Sequence, residues 1–157
     1  MYDIFKKLNL KDQQEIVVLN APESFEPELA SLEDVAIRQS LDSIQRIVFS
    51  LAFVTKQDEV DSLARSIAAK AEGDAIIWFA YPKASSKNFK AEFNRDTGWV
   101  VLGELSFESV RQVAIDADWS AIRFRRVEFI KTMVREKQRA MTEQGKKRAG
   151  SPRPEGG

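Results

Sequence analysis

The feature that most constrains the fold is a pair of long apolar runs separated by one amphipathic segment. "RIVFSLAFV" (46–54) and "AIIWFAY" (75–81) are almost unbroken in β-branched, aromatic and other apolar residues. Such runs are typical of parallel strands that are covered on both faces. Between them, apolar residues from Val60 to Ala71 recur at helical spacing on one side. The three segments together predict a βαβ unit with a right-handed crossover.

The remaining elements extend this unit into a larger sheet. They are a strand at "EIVVL" (15–19), a short helix in "PESFEPELASL", a weaker strand at "VAIR" (35–38), a helix in "NRDTGWVVLGEL", and two alternating strands at "SVRQVAI" (109–115) and "AIRFRRV" (121–127). This order predicts an α/β fold with three layers. Its doubly wound, mostly parallel sheet has about six strands and is closed by an antiparallel C-terminal hairpin.

The charge distribution predicts a body and a distinct C-terminal extension. Residues 1–127 are predicted to form one Rossmann-like domain, 128–142 a basic C-terminal helix, and 143–157 a disordered tail rich in Gly, Pro, Lys and Arg. Residues 123–157 carry 11 basic and 4 acidic side chains, whereas the residues before them carry 13 basic and 20 acidic ones. An acidic body with a basic tail is not the profile of a whole-domain nucleic-acid binder.

Missing residue types remove several chemistries. The chain has no cysteine and no histidine, which excludes a thiol nucleophile, a Ser-His-Asp triad and a zinc site built from Cys or His. No apolar run approaches the roughly 20 residues that span a bilayer, and the N-terminus lacks a signal peptide's apolar centre. We therefore expect a cytoplasmic protein that does not associate with membranes, without a metal site and with no catalytic residue assigned.

The order of elements and the closing hairpin resemble the core of the S-adenosylmethionine (SAM)-dependent methyltransferases. That resemblance implies a glycine-rich turn after the first strand and an acidic ribose ligand after the second. Here the first strand runs into "LNAPESFEP", which has no glycine, and "VAIRQSLD" offers only Asp42 as a late acidic candidate. Without glycine, the loop does not readily adopt positive φ or approach a ligand closely. From this departure we expect no cofactor.

A second resemblance is to a small, uncharacterised bacterial family of reduced Rossmann-type domains. It rests on "KLNLK", "VVLNAPESFE", "IIWFAYPKASSK", "RDTGW" and "DADWSAIRFRR". These motifs cover roughly residues 5–127, so the resemblance implies the fold of the body and leaves the function open.

The leading interpretation is a non-catalytic binding or interaction module that takes a small anionic ligand or a protein partner. One alternative is a divergent SAM-binding methyltransferase. Another is a nucleic-acid-associated accessory protein that uses the basic tail, although interspersed acidic residues disfavour nucleic acid. A fold by itself does not choose among these classes, and a homo-oligomer is left open.

One candidate ligand site follows from the topology. In open α/β sheets, ligands bind beyond the carboxyl ends of the strands, where the strand order reverses. Asn20 and Glu23 follow the first strand and Thr55 follows a later one, so these three residues are predicted to line a crevice. Helix capping is the competing interpretation for Asn20.

A second candidate site is the segment that follows the run at 75–81. Lys83, Ser85, Ser86 and Lys87 combine cationic groups with hydroxyl donors, the chemistry that binds a phosphate or carboxylate. A solvated turn after a buried strand is the favoured interpretation, since the segment has no glycine. Trp119, next to acidic residues, is a candidate for stacking on a ligand, with a buried position in the core as the favoured alternative.

Overall fold

The sheet and its helices are described over residues 3–130 of a computed structural model. The helices are α1 (Asp3–Lys7), α2 (Glu26–Ala30), α3 (Gln57–Lys70) and α4 (Val100–Glu104). The strands are β1 (Glu15–Leu19), β2 (Ala36–Arg38), β3 (Ile47–Phe53), β4 (Ala71–Pro82), β5 (Phe107–Ala114) and β6 (Trp119–Arg126). A 3₁₀ turn at Glu23–Phe25 precedes α2. From β1 onward, the succession of strands and helices matches the order that the sequence predicts, whereas α1 was not predicted.

The described strands form one six-stranded sheet in the order β2-β1-β3-β4-β6-β5. The first four strands of this order are parallel, whereas β6 pairs antiparallel with both β4 and β5. The predicted fold class, a mostly parallel α/β sheet closed by an antiparallel C-terminal hairpin, is therefore confirmed. The strand order reverses between β1 and β3, which places the switch point at the carboxyl ends of those two strands.

Successive side chains along each strand point to opposite faces of the sheet, so the core is divided into two clusters. Val17, Ile77 and Phe79 contribute to the cluster that packs beneath α3 and α4. Their neighbours Val18 and Trp78 belong to the opposite cluster, which includes side chains of α1 and α2. Because the central strands are covered on both sides, they need apolar residues at nearly every position. The predicted three layers are thus present.

The start of α3 depends on one carboxylate. The backbone N–H groups of Thr55 and Lys56 donate to Oε1 of Glu59 at 2.8 and 3.1 Å, and the helix begins at Gln57. A glutamate in the first turn satisfies amides that have no partner within the helix. This arrangement leaves Thr55 just outside α3, at the carboxyl edge of the sheet.

The predicted C-terminal elements fall largely outside the described residues. Residues 127–130 are helical, whereas the rest of the helix predicted at 128–142, and the tail predicted at 143–157, lie beyond residue 130. Between residues 3 and 130, no helix combines the length and apolar character required to cross a membrane.

Candidate functional site

Asn20 forms the turn that follows β1. Its φ is +60°, in the left-handed region that glycine and asparagine tolerate best. The Asn20 side chain is exposed, and its Nδ2 lies 3.4 Å from the carbonyl oxygen of Phe53 at the end of β3. The 3₁₀ turn is capped at Pro22 without a side-chain hydrogen bond. Asn20 therefore does not cap this turn; its side chain links the carboxyl ends of β1 and β3.

Glu23 and Thr55 follow the same two strands. Glu23 is exposed at the first position of the 3₁₀ turn. Thr55 is half-buried, and its carbonyl oxygen accepts a hydrogen bond of 3.0 Å from the backbone N–H of Glu92. The sheet thus brings Asn20, Glu23 and Thr55 to one edge, as the topology predicts, and ties a later loop to that edge at Thr55.

Aromatic rings fill the interior directly behind this edge. Phe25 lies 5.0 Å from Phe53, Phe53 lies 5.0 Å from Trp119, and Trp119 lies 4.9 Å from Phe89, measured between ring centroids. Trp119 is only 3% exposed, so it belongs to this aromatic cluster. Its indole N–H is buried and has no hydrogen-bond partner among the described residues.

The segment "YPKASSK" divides into residues with different surroundings. The buried hydroxyl of Ser86 donates to Oδ1 of Asp118 at 2.8 Å and accepts from the backbone N–H of Phe89 at 3.0 Å. Ser86 therefore ties the segment to the β5–β6 turn. Ser85 and Lys87 are exposed. The structure does not bring the four residues of the predicted anion site together around one point.

Lys83 instead borders a cavity of about 480 Å³ at the carboxyl end of β4. The lining of this β4 cavity includes Tyr81, Lys83, Lys90, Phe93, Arg95 and Gln112. Nε2 of Gln112 donates a hydrogen bond of 2.7 Å to the phenol oxygen of Tyr81. Burial is the main cause that raises the pKa of Tyr81 above its usual value, with the Asp96 carboxylate also raising it and Arg95 opposing both.

The wall of the β4 cavity is anchored to the start of α3. Gln57 donates from its side chain to the carbonyl of Gly98 at 2.9 Å, and its backbone N–H donates to Oε1 of Glu92 at the same distance. Gly98 has a φ of +94°, and a Cβ at this position would lie 2.6 Å from Cβ of Phe93. Only glycine permits this approach, so Gly98 lets its loop pack directly against Phe93.

A second cavity, of about 750 Å³, lies beside β2. Its lining includes Glu15, Arg38, Asp42 and Arg46, and Glu15 forms an ion pair of 2.6 Å with Arg38. Glu15 begins β1 and Arg46 directly precedes β3, so this cavity borders the amino ends of those strands. Asp42, the late acidic candidate, is therefore not at the edge that carries Asn20.

Sequence reasoning missed most of the β4 cavity. Arg95 lies in "RDTGW", one of the motifs that carries the resemblance to a family of reduced Rossmann-type domains, and that motif was the available signal. Lys90 and Gln112 gave no signal, because a polar residue in a loop or on an edge strand is ordinarily solvated. Their convergence depends on contacts between segments that are distant in the chain.

No protein-family model matches the sequence, and no curated protein matches it either. Solved structures do match the fold. A SAM-dependent methyltransferase from Aquifex aeolicus aligns with a TM-score of 0.53 and 10% identity, over 78% of this chain and 87% of that one. The magnesium protoporphyrin IX methyltransferase ChlM of Synechocystis PCC 6803 with bound S-adenosylhomocysteine (SAH) aligns with a TM-score of 0.52 and 9% identity, over 78% of each chain. The same enzyme with bound SAM aligns with a TM-score of 0.53 and 11% identity, over 79% of this chain and 76% of that one. This chain thus has a methyltransferase-like α/β fold.

These comparisons correct two expectations drawn from the sequence. The leading interpretation, a non-catalytic module, and the expectation of no cofactor were both wrong: the matching structures are SAM-dependent methyltransferases, two of them with SAM or SAH bound. The lack of glycine after β1 does not exclude a cofactor loop, because Asn20 adopts positive φ without it. The fold that this chain shares is that of the alternative class, the methyltransferases.

Proposed function

We propose that this chain is a divergent SAM-dependent methyltransferase domain. The cofactor would bind at the carboxyl edge between Asn20 and Thr55, and the methyl acceptor would bind in the adjoining β4 cavity. The observation that carries the proposal is the switch point between β1 and β3, flanked on the same edge by a ligand-sized cavity. The likeness in fold to SAM-dependent methyltransferases supports it.

The groups at this edge fit the chemistry of SAM, which carries a purine, a ribose diol, an amino-acid group and a sulfonium. Asn20 supplies the left-handed turn that a cofactor loop needs. The exposed carboxylate of Glu23 is suited to accept hydrogen bonds from hydroxyl or ammonium groups. The indole N–H of Trp119, buried behind this edge, has no acceptor among the described residues. Ala21 and Pro22 carry side chains where a glycine-rich turn has none, so polar side chains would supply contacts that such a turn makes with its backbone.

When bound, SAM supplies a methyl group activated by its sulfonium. The residues of the chain would hold and orient the acceptor. The phenol of Tyr81 is protonated at neutral pH, as any tyrosine is, and can donate a hydrogen bond to an acceptor in the β4 cavity. The exposed carboxylate of Asp96, on the rim of the cavity, is placed to accept a proton that the acceptor releases. The chain has no histidine for that task.

Calorimetric titration with SAH tests the proposal. We expect SAH to bind with a Kd below about 100 μM, equivalent to roughly −5.5 kcal/mol. Asn20→Val and Asn20→Gly form a matched pair, since valine strains a residue at positive φ by about 1–3 kcal/mol and glycine does not. We expect Asn20→Val to weaken SAH binding by about tenfold or more, and Asn20→Gly to change it less.

The absence of heat with both SAM and SAH at about 1 mM, in protein shown to be folded by circular dichroism, would contradict the proposed function. Equal affinities of the two Asn20 variants would place the cofactor elsewhere. The cytoplasmic location and the likeness to a small bacterial family of reduced Rossmann-type domains stay predictions.

A further inference from the structure

We propose that the β4 cavity binds a small planar ligand that carries an anionic group, an aromatic carboxylate or an aromatic phosphate. As the class of methyl acceptor, this ligand rests on the proposed function. Its binding, however, depends only on residues of the β4 cavity and is measured without SAM.

The volume and walls of the cavity select a planar ligand. About 480 Å³ lies within the range of roughly 300–1,000 Å³ typical of small-molecule sites. Tyr81 and Phe93 are 4% and 8% exposed, and their ring centroids are 6.4 Å apart. Trp99 contacts both rings, at 5.7 and 5.1 Å. Rings packed against other rings keep their orientation, and the parts of them that reach the cavity form an apolar wall for a flat ligand.

The charges around the cavity select an anion. Lys83, Lys90 and Arg95 line it, against the single carboxylate of Asp96. Asp96 lies 3.8 Å from Arg95, and both side chains are well exposed, so one carboxylate offsets one of the three cationic groups. Nζ of Lys90 donates to the carbonyl oxygen of Ser86 at 3.2 Å, a contact that leaves its charge in place. The lining therefore keeps an excess of cationic groups.

The buried phenol of Tyr81 favours an acceptor atom on the ligand. The phenol oxygen of Tyr81 accepts from Gln112 at 2.7 Å, and a phenol that accepts one hydrogen bond still has its own proton to donate. A tyrosine is protonated at neutral pH, so that proton is available there. A carboxylate or phosphate offers oxygen atoms that can accept hydrogen bonds from Tyr81 and from the lysines.

The test is calorimetry on the full chain with matched probes that differ in one property. 2-Naphthoate and 2-naphthyl phosphate have the ring and a charge, naphthalene-2-carboxamide has the ring without the charge, and acetate has the charge without the ring. We expect naphthoate or naphthyl phosphate to bind about tenfold or more tightly than the carboxamide, and acetate to show no measurable binding. The preference should shrink as salt is added.

Lys83→Gln and Lys87→Gln provide a matched pair of variants in one segment. Lys83 lines the cavity and Lys87 does not. We expect Lys83→Gln to weaken binding of the anionic probes by about 3–10-fold and to leave the carboxamide unchanged, while Lys87→Gln changes neither. Equal effects of the two substitutions, or equal affinities for the charged and neutral naphthalenes, would overturn the proposal.

Two failures are distinguishable. Naphthoate that binds a protein unable to bind SAH supports the ligand class and refutes the methyltransferase proposal. SAH binding without any preference for the anionic probes refutes the ligand class and leaves the methyltransferase proposal intact.

Discussion

Aromatic rings pack differently at two stretches of the same carboxyl edge of the sheet. Beyond β1 and β3, Phe25 and Phe53 are in contact at 5.0 Å and buried. Beyond β4, Tyr81 and Phe93 stand 6.4 Å apart beside a cavity of about 480 Å³. Rings fill the interior behind the first stretch, which leaves the outer surface of its turn as the side open to the proposed cofactor, whereas the second stretch borders a cavity.

The connections that follow the strands explain the difference. Only Asn20, Ala21 and Pro22 separate β1 from the 3₁₀ turn, so Phe25 is carried directly onto Phe53. The connection from β4 to α4 spans residues 83–99, and hydrogen bonds to Gln57 hold part of it on the start of α3. A short connection collapses on the sheet, whereas a long connection with its own anchors can enclose a space.

Truncating a ring of the first stretch should have the largest effect. We expect Phe53→Ala to lower the free energy of unfolding by about 3–5 kcal/mol, because a fully buried ring is removed and the lining collapses only in part. Phe53 is 2% exposed. Urea denaturation measures the loss, and Phe89→Ala, at a half-buried ring of the same cluster, should cost less. A loss below about 1 kcal/mol would mean that this stretch is not tightly packed.

Crowding the wall of the second stretch should come next. We expect Gly98→Ala to destabilise the protein by about 1–3 kcal/mol, because the new Cβ meets Phe93 and the backbone has positive φ. It should also weaken binding of 2-naphthoate by moving that ring. The control is Gly103→Ala in α4, where a Cβ meets no atom within 4 Å and a gain of about 0.5–1 kcal/mol is expected. Equal stabilities of the two variants would refute this packing of Gly98 against Phe93.

Removing the contact that ties "YPKASSK" to the hairpin should have a similar or smaller effect. Ser86→Ala leaves a carboxylate oxygen of Asp118 and the N–H of Phe89 without this partner, at an expected cost of about 1–2 kcal/mol. Ser85→Ala, at the exposed neighbour, should stay within about 0.5 kcal/mol. Thermal unfolding of both variants checks the contrast, and indistinguishable melting temperatures would argue against the contact.

The smallest effect concerns the proton of Tyr81. Since its pKa is raised in the folded protein, the folded state holds that proton more tightly than the unfolded state. Its contribution to stability is therefore fully present below about pH 10 and is lost as the pH rises above that value. The chain has two tyrosines, so an absorbance titration of tyrosinate should lose its later step in Tyr81→Phe. A later step that persists in this variant would assign the raised pKa to the other tyrosine.

The fold could be predicted because its signals are local. The run "EIVVL" predicts β1 with the bounds that the structure has, since β-branched residues favour strands whatever their partners. The strand at 75–81 was predicted too short, because β4 begins at Ala71 and its next residues are Glu, Gly and Asp. This first part of β4 also pairs with β3 through a register shift, which an apolar pattern does not predict. The placement of Asn20 and Thr55 at one edge was predicted from the rule that carboxyl ends of parallel strands share an edge of the sheet.

The sequence by itself determined the order of elements, the mostly parallel sheet and the exclusion of histidine and cysteine chemistry. Only the tertiary structure decided that Lys83 lines a cavity while Ser86 is buried in a turn, although both lie in one short segment. It also decided that Asn20 makes its turn without glycine. The physical reason is that apolar periodicity is a property of neighbouring residues, whereas a cavity depends on the distances between loops. Those distances are set by anchors such as Gln57 and Gly98, which are 41 residues apart in the chain.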